Sequence, residues 1–493
     1  MPDRTASAHD LVITGGRLAT PMGSFEADLG IRDGRIATIG EGLSGAETID
    51  ARGKLVLPGG VEAHCHIAQE SGMGIMQADD YESGSRAAAL GGTTTFVPFA
   101  AKTRERTVAE SLDLYAARAA GRSHIDYANH LILPDAEPET IAALPAAFAR
   151  GVTALKVFTT YPKVKIDDAA FLAILSAARE AGRLTMVHAE NDAMIAWMTE
   201  RLMAAGLTAP KFHAPSHPAL AEEEAIFRAI SLARLADAPL LIVHVSTARG
   251  ARLIAEARAE GVKVWGETCT QYVTLTHHDL DRPGREGAKF VCSPPPRDAA
   301  AQAALWQALR MGTLSVFSSD HAPTRFDETG KFFNGLDAPF PKIANGLPGL
   351  AARLPILFSE GVVKGRITLE RFVALSATNA ARLYGLAPQK GSLAIGADAD
   401  IVLWDPQTTR TLRAEDLGDN TGYSPYEGMV VTGWPVLTLS RGEIIVRDGA
   451  LTASAGRGRP LTPGTSILDD QPGMIAVERD AAQRLGLGGA PDR

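Results

Sequence analysis

The chain has 493 residues, 45% of them hydrophobic and 22% charged, which excludes disordered and fibrous classes and allows one large core with a smaller second unit. Forty-nine Lys and Arg against fifty-seven Asp and Glu give a net charge of −8, without the runs of like charge that mark a nucleic-acid stripe or a polybasic membrane segment. Residues 1–10 are polar, and no segment approaches the roughly 18 uninterrupted apolar residues of a membrane helix, so a cytoplasmic protein with a small-molecule partner, and neither nucleic acid nor membrane, is expected.

In chain order, the first fifty residues hold the runs Leu11-Val12-Ile13-Thr14 and Leu29-Gly30-Ile31, the second followed by Asp33-Gly34 and Arg35-Ile36-Ala37. Asp-Gly between such runs predicts a hairpin, because both turn positions want positive φ. Short apolar runs then alternate with Ala- and Leu-rich stretches, the pattern of βα units around a parallel sheet. Eight runs stand at residues 55–61, 93–98, 125–132, 154–158, 184–188, 240–245, 262–267 and 314–318, with helices predicted over 107–120, 169–181, 221–235, 248–260 and 299–311. Eight such units predict an α/β fold, a (β/α)8 TIM barrel. Two connections, 212–220 and 324–347, are unusually long, and long loops at the C-terminal face are where barrels keep their sites. The β texture returns in Asp400-Ile401-Val402-Leu403-Trp404 and from Leu437 through Gly442 to Val446. Both ends are therefore predicted to pair into a small β-sandwich, built from residues 1–57 and 387–455 around a barrel over 58–386. The tail, 456–493, is Gly- and Pro-rich and then weakly helical at 475–485; it reads as an arm onto a neighbouring subunit or as disordered.

Cys65, Cys269 and Cys292 are an odd number at wide spacings, which excludes a disulfide framework and a Cys-type zinc finger. Any metal must be held by nitrogen and oxygen. His64-Cys65-His66 closes the first run, and i, i+2 spacing on an extended chain turns both imidazoles to one side, as a metal pair requires. Lys156 ends the fourth run, His188 the fifth and His244 the sixth, and Asp320 follows the eighth. A single such residue at a strand end is more often a satisfied hydrogen-bonding group. Their joint placement at the C-terminal ends of five strands reads as catalytic. The histidines His9, His124, His130, His213, His217, His277 and His278 fall in the N-terminal tail, beside the third run or in loops, and read as structural or surface groups.

Lys156 would be repelled as an ammonium beside two divalent cations, and burial and positive neighbours both lower its pKa. A neutral amine can capture carbon dioxide as a carbamate, whose two oxygens can bridge two metals. The alternative is an ordinary lysine paired to Glu190 or Glu267.

The stretch from Leu57-Pro58-Gly59-Gly60 to His64-Cys65-His66 resembles the first-strand motif of the amidohydrolase superfamily. Ala78-Asp79-Asp80-Tyr81-Glu82-Ser83-Gly84, Gly91-Gly92-Thr93-Thr94, Lys156-Val157-Phe158 with Tyr161, and Val187-His188-Ala189-Glu190-Asn191 continue, in order, a pattern similar to dihydropyrimidinases and hydantoinases. Gly266-Glu267-Thr268-Cys269, Cys292-Ser293-Pro294-Pro295, Ser319-Asp320-His321, Asn345-Gly346-Leu347-Pro348-Gly349 and Tyr423-Ser424-Pro425-Tyr426-Glu427-Gly428 complete it, and the last two blocks favour the hydantoinase branch.

The resemblance implies a TIM barrel holding two divalent ions, zinc first with Mn2+ or Co2+ as alternatives, and an N-carboxylated Lys156. It implies that His64, His66, Lys156 and Asp320 hold one ion and Lys156, His188 and His244 the other, that Tyr161 supports the developing oxyanion, and that Ser293 and Asn345 hold the ring amide through backbone groups. The reaction implied is ring opening of a 5-substituted hydantoin or dihydropyrimidine by a bridging hydroxide, with Asp320 as proton shuttle, in a homodimer or homotetramer. An allantoinase or cyclic imide hydrolase on the same machinery, and a non-catalytic scaffold similar to the collapsin-response mediator proteins, are the alternatives. Departures from the pattern are Glu62 where the family usually has Asp, a loop at 67–76 replacing one that often carries an aromatic residue, and the polar Thr159-Thr160 pair.

Overall fold

The computed structural model describes residues 9–464, so the helix expected at 475–485 lies outside the described residues. Eight parallel units form the barrel. Its strands are Gly60–Cys65, Thr93–Ala101, Asn129–Ile132 preceded by the short Asp126–Tyr127, Val152–Phe158, Leu184–His188, Leu240–Ile242, Val264–Cys269 and Leu314–Ser318, hydrogen-bonded in that spatial order. A bridge between Cys65 and His321 brings the last strand back to the first, as closure of a barrel requires. Val61, Ala63, Val97, Phe99, Ala154, Met186, Leu241, Val243 and Val316 fill the interior. The opposite faces of the strands pack against helices such as Asp168–Glu180, Ala219–Ala236 and Ala248–Ala259. Strands buried on both faces explain why the runs read as continuous, not alternating.

The expected β-sandwich is realised as one continuous nine-stranded sheet drawn from both ends. Leu55–Pro58 is its seam: it pairs antiparallel with Ile401–Thr411 and parallel with Leu11–Thr20. The run at 55–61 therefore divides, its first half in this sheet and its second in the barrel. Gly59 makes the crossing possible, since a Cβ there would stand 2.0 Å from the Thr94 hydroxyl. Asp33 and Gly34 adopt φ of 52° and 73°, the paired positive values of the expected hairpin turn.

The start of the tail does not reach away from its own chain. Leu461 N–H donates to Tyr127 O at 2.7 Å and Tyr127 N–H to Arg459 O at 3.0 Å. Beneath it, wholly buried Lys390 pairs with Asp126 at 2.6 Å, Asp400 at 2.8 Å and Asp398 at 2.9 Å, while Arg441 also binds Asp126. Residues 457–461 thus tie the barrel to the terminal sheet. Among the described residues no helix is long and apolar enough to cross a membrane.

Candidate metal centre

The eight strands present their C-terminal ends to one rim, and there the structure gathers His64, His66, Lys156, His188, His244 and Asp320. Ligand atoms of His64, His244 and Asp320 lie within 4.8 Å of one another. Asp320 Oδ1 stands 3.1 Å from His64 Nε2 and 3.4 Å from His66 Nε2. The rings of His188 and His244 are 4.4 Å apart, and those of His64 and His244 5.5 Å. Tyr161, His244 and Asp320 hold φ of 73°, 40° and 47°, three non-glycine residues in the left-handed region at one rim. Such strain persists where surrounding packing enforces it, and clusters at functional sites.

Three of the four imidazoles are turned by a partner. His64 Nδ1 donates to Glu267 at 2.6 Å, His66 Nδ1 lies 2.8 Å from Gln69 Oε1, and His188 Nε2 donates to Glu190 at 2.7 Å. On His64 and His66 these bonds turn the remaining nitrogen, Nε2, toward Asp320, the pattern that orients metal-binding histidines. The Nδ1 of His244 is buried without any hydrogen-bond partner.

Lys156 is 1% exposed, with its nitrogen 5.3 Å and 5.0 Å from the Phe99 and Phe158 ring centres. No carboxylate lies within ion-pair distance among the described residues: Glu267 is taken by His64, and Glu190 by His188 and His217. The ordinary-lysine alternative thus finds neither expected partner. Burial lowers the pKa of Lys156 to about 8, against the pull of Asp320 and Glu267. Burial also works against charge on His64, but Glu267 and Asp320 outweigh it and raise its pKa to about 9. Asp320 goes the other way: burial opposes its ionisation, yet His64 and His66 hold its carboxyl well below the usual range.

The donor set fits divalent ions. It combines imidazole nitrogens, a carboxylate, an orphaned His244 nitrogen and a buried lysine without a counterion, which is the chemistry such ions select and which is poorly satisfied without them.

Tyr161 leans edge-on against His188 at 5.2 Å, and burial raises its hydroxyl pKa. Ser293 and Asn345 lie on two separate loops, and their peptide N–H and C=O groups have no hydrogen-bond partner among the described residues. The Asn345 side-chain oxygen is likewise buried and unpartnered. Backbone polar groups are normally paired, so these peptide groups are available to a ligand.

Further groups pack around the site in ways the sequence did not specify. Of the histidines read as structural or surface groups, His213 and His217 are structural and buried: His217 Nδ1 donates to Glu190 at 2.9 Å, and His213 Nε2 donates to Cys292 O at 2.8 Å. His321 is fully occupied, donating to Asp79 at 2.9 Å and accepting from Gly349 N–H at 3.0 Å. Glu62 accepts from His64 N–H at 2.8 Å and Ser319 N–H at 3.1 Å and pairs with Arg353 at 3.1 Å, all wholly buried. Breaking a buried pair leaves an uncompensated charge, so Arg353→Met should lower stability by about 3–5 kcal/mol. Denaturant unfolding measures this, and Glu62→Gln added to that variant should recover part of the loss. A double variant no better than the single one would mean that the Arg353 contacts to Phe317 O and Thr93 carry the effect.

A barrel with histidines, a buried lysine and an aspartate on its C-terminal rim defines the class of amidohydrolase barrels, and the amidohydrolase family model matches residues 55–445. The chain is 43% identical over 452 residues to a D-hydantoinase of Geobacillus stearothermophilus, covering 91% of this chain and 95% of that protein. It superposes on a dihydropyrimidinase from Brevibacillus agri with a TM-score of 0.90 at 41% identity, covering 92% of this chain and 99% of that one. An L-hydantoinase (dihydropyrimidinase) from Arthrobacter aurescens aligns with a TM-score of 0.84 at 30% identity over the same shares. The chain belongs to the dihydropyrimidinase/hydantoinase family of the amidohydrolase superfamily.

Proposed function

We propose that the protein hydrolyses a cyclic amide, a 5-substituted hydantoin or a dihydropyrimidine, to an N-carbamoyl amino acid. The observation that carries this reading is the cluster of His64, His244 and Asp320, with His66, His188 and buried Lys156 around it, beside Tyr161 and the unpartnered peptide groups of Ser293 and Asn345. His64, His66, Lys156 and Asp320 would hold one divalent ion, and Lys156, His188 and His244 the other, with Lys156 N-carboxylated. When bound, the ions, Zn2+ first and Mn2+ or Co2+ as alternatives, supply Lewis acidity that polarises the scissile carbonyl and makes hydroxide available near neutral pH.

The residues of the chain do the rest. Ser293 and Asn345 orient the ring amide by their peptide groups. Tyr161, kept protonated by burial, donates to the oxyanion as the carbonyl carbon becomes tetrahedral. Asp320 takes the proton of the attacking water and returns it to the leaving ring nitrogen as the C–N bond breaks. Three buried unpaired cysteines support a cytoplasmic location. A homodimer or homotetramer is supported by helix Asp192–Ala204, which buries no residue and exposes Trp197.

A panel of dihydrouracil, D- and L-5-substituted hydantoins, allantoin and cyclic imides, offered to metal-loaded protein, tests the reading. Ring opening of hydantoins or dihydrouracil, abolished by chelation and restored by divalent metal, is expected. Turnover of allantoin or imides alone would move the substrate assignment. A protein that purifies without stoichiometric metal and opens none of them would be a scaffold.

A further inference from the structure

The long connection after the last barrel strand buries a lysine that the proposed chemistry does not use. Lys331 is 0% exposed, and no carboxylate lies within ion-pair distance among the described residues. Its Nζ instead donates to three backbone carbonyls, Val291 O at 2.9 Å, Ala344 O at 2.8 Å and Gly346 O at 2.7 Å. An ammonium has three donors and no acceptor, so all three are used. Burying that charge without a counterion is unfavourable and draws the pKa of Lys331 down toward about 7, while three acceptors that only the ammonium can fill together work to keep its proton on. Three converging carbonyl dipoles are what the chain offers in return.

Those carbonyls belong to the loops that carry Ser293 and Asn345. Ala344 and Gly346 flank Asn345 directly, and Val291 precedes Ser293 by two residues. Gly346 N–H also donates to Val291 O at 3.1 Å, joining the loops. Gly346 takes φ of +118°, and a Cβ there would stand 2.5 Å from Ala322 O, so the approach needs glycine. The lysine is itself held by its N–H to Arg325 O at 2.8 Å, while the next residue donates to Asp327 O at 3.0 Å.

We propose that Lys331 is a positioning residue for the substrate amide, its ammonium clasping the 291–293 and 344–346 loops so that the free peptide groups of Ser293 and Asn345 stand as a preformed pair. This rests on the cyclic-amide reading. A clasp that sets ground-state and transition-state binding alike acts on KM and leaves kcat nearly untouched.

The test uses full-length, metal-loaded Lys331→Met and Lys331→Gln, the second keeping two N–H donors. With the best hydantoin or dihydropyrimidine of the panel, Lys331→Met should raise KM about tenfold or more with kcat within about threefold and metal content unchanged. Lys331→Gln should fall between it and the parent, and it carries the same test if Lys331→Met does not fold. Hydrogen exchange, which needs no turnover, should quicken at 344–346 and not in the barrel strands. A merely structural lysine would lower the melting temperature and the active fraction while KM stayed at the parent value, and that result overturns the proposal. If the parent opens no cyclic amide, the functional reading fails by itself. The clasp is then judged by exchange alone, and unchanged protection at 344–346 in Lys331→Gln overturns it.

Discussion

Lys156→Ala should purify with at least one metal ion missing and turn over substrate on the order of 10³-fold more slowly, since a lost ion removes several kcal/mol of transition-state charge stabilisation. The expectation starts from a lysine that is buried, lacks a carboxylate partner and has its pKa lowered to about 8. At that value about a tenth is neutral amine at pH 7, and capture by carbon dioxide draws that fraction forward. The amine can form an N–C bond to carbon dioxide with loss of one proton, which would give Lys156 an anionic carbamate able to help hold the ions in place of a repelled ammonium. Alanine cannot form the carbamate, so small carboxylates such as acetate should restore part of the metal and part of the rate by entering the vacated volume. Metal analysis and turnover, with and without acetate, decide it. Full metal content and parental turnover in Lys156→Ala would sink the bridging role, and loss of metal without any rescue would limit Lys156 to packing.

Asp320→Asn separates holding an ion from moving a proton. The carboxylate faces both first-strand histidines, at 3.1 Å and 3.4 Å, and they hold its pKa well below the usual range, so it is ionised and able to accept a proton throughout the neutral range. Asparagine keeps the shape and one oxygen donor but cannot take the proton. The variant should retain most of its metal while kcat falls by at least about 10²-fold, the lower end of what a positioned general base supplies. Near-parental turnover with metal bound would transfer the shuttle to another group. His321 is a poor candidate for it, because both its ring nitrogens are engaged by Asp79 and Gly349.

The candidate ligands were legible because a barrel brings strand ends together whatever their separation in sequence. His64, His66, Lys156, His188, His244 and Asp320 each sit at or just past such an end, so counting strands was enough to converge them. The carboxylates that turn the imidazoles carried a fainter signal of the same kind. Glu190 stands two residues from His188, whose ring it turns, and Glu267, which turns the His64 ring, lies in the seventh strand one position before its last two residues. The division of the 55–61 run was not legible, since an apolar run looks the same whether its hydrogen-bond partner is Ile401 or Thr93.

By itself the sequence determined the alternation of strands and helices, the pairing of the two ends and the residue types at the rim, because these follow from local periodicity and from the geometry that eight βα units must adopt. Only the tertiary structure decided how His217, Lys331 and Arg353 are used. Each lies outside the strands, on a connection or a short helix, and each reaches a partner far away in sequence, Glu190, Val291 and Glu62. No periodicity links such positions. Their contacts exist because the closed barrel sets the distance between loops, and a buried charge must then take whatever carboxylate or carbonyl that distance brings within reach.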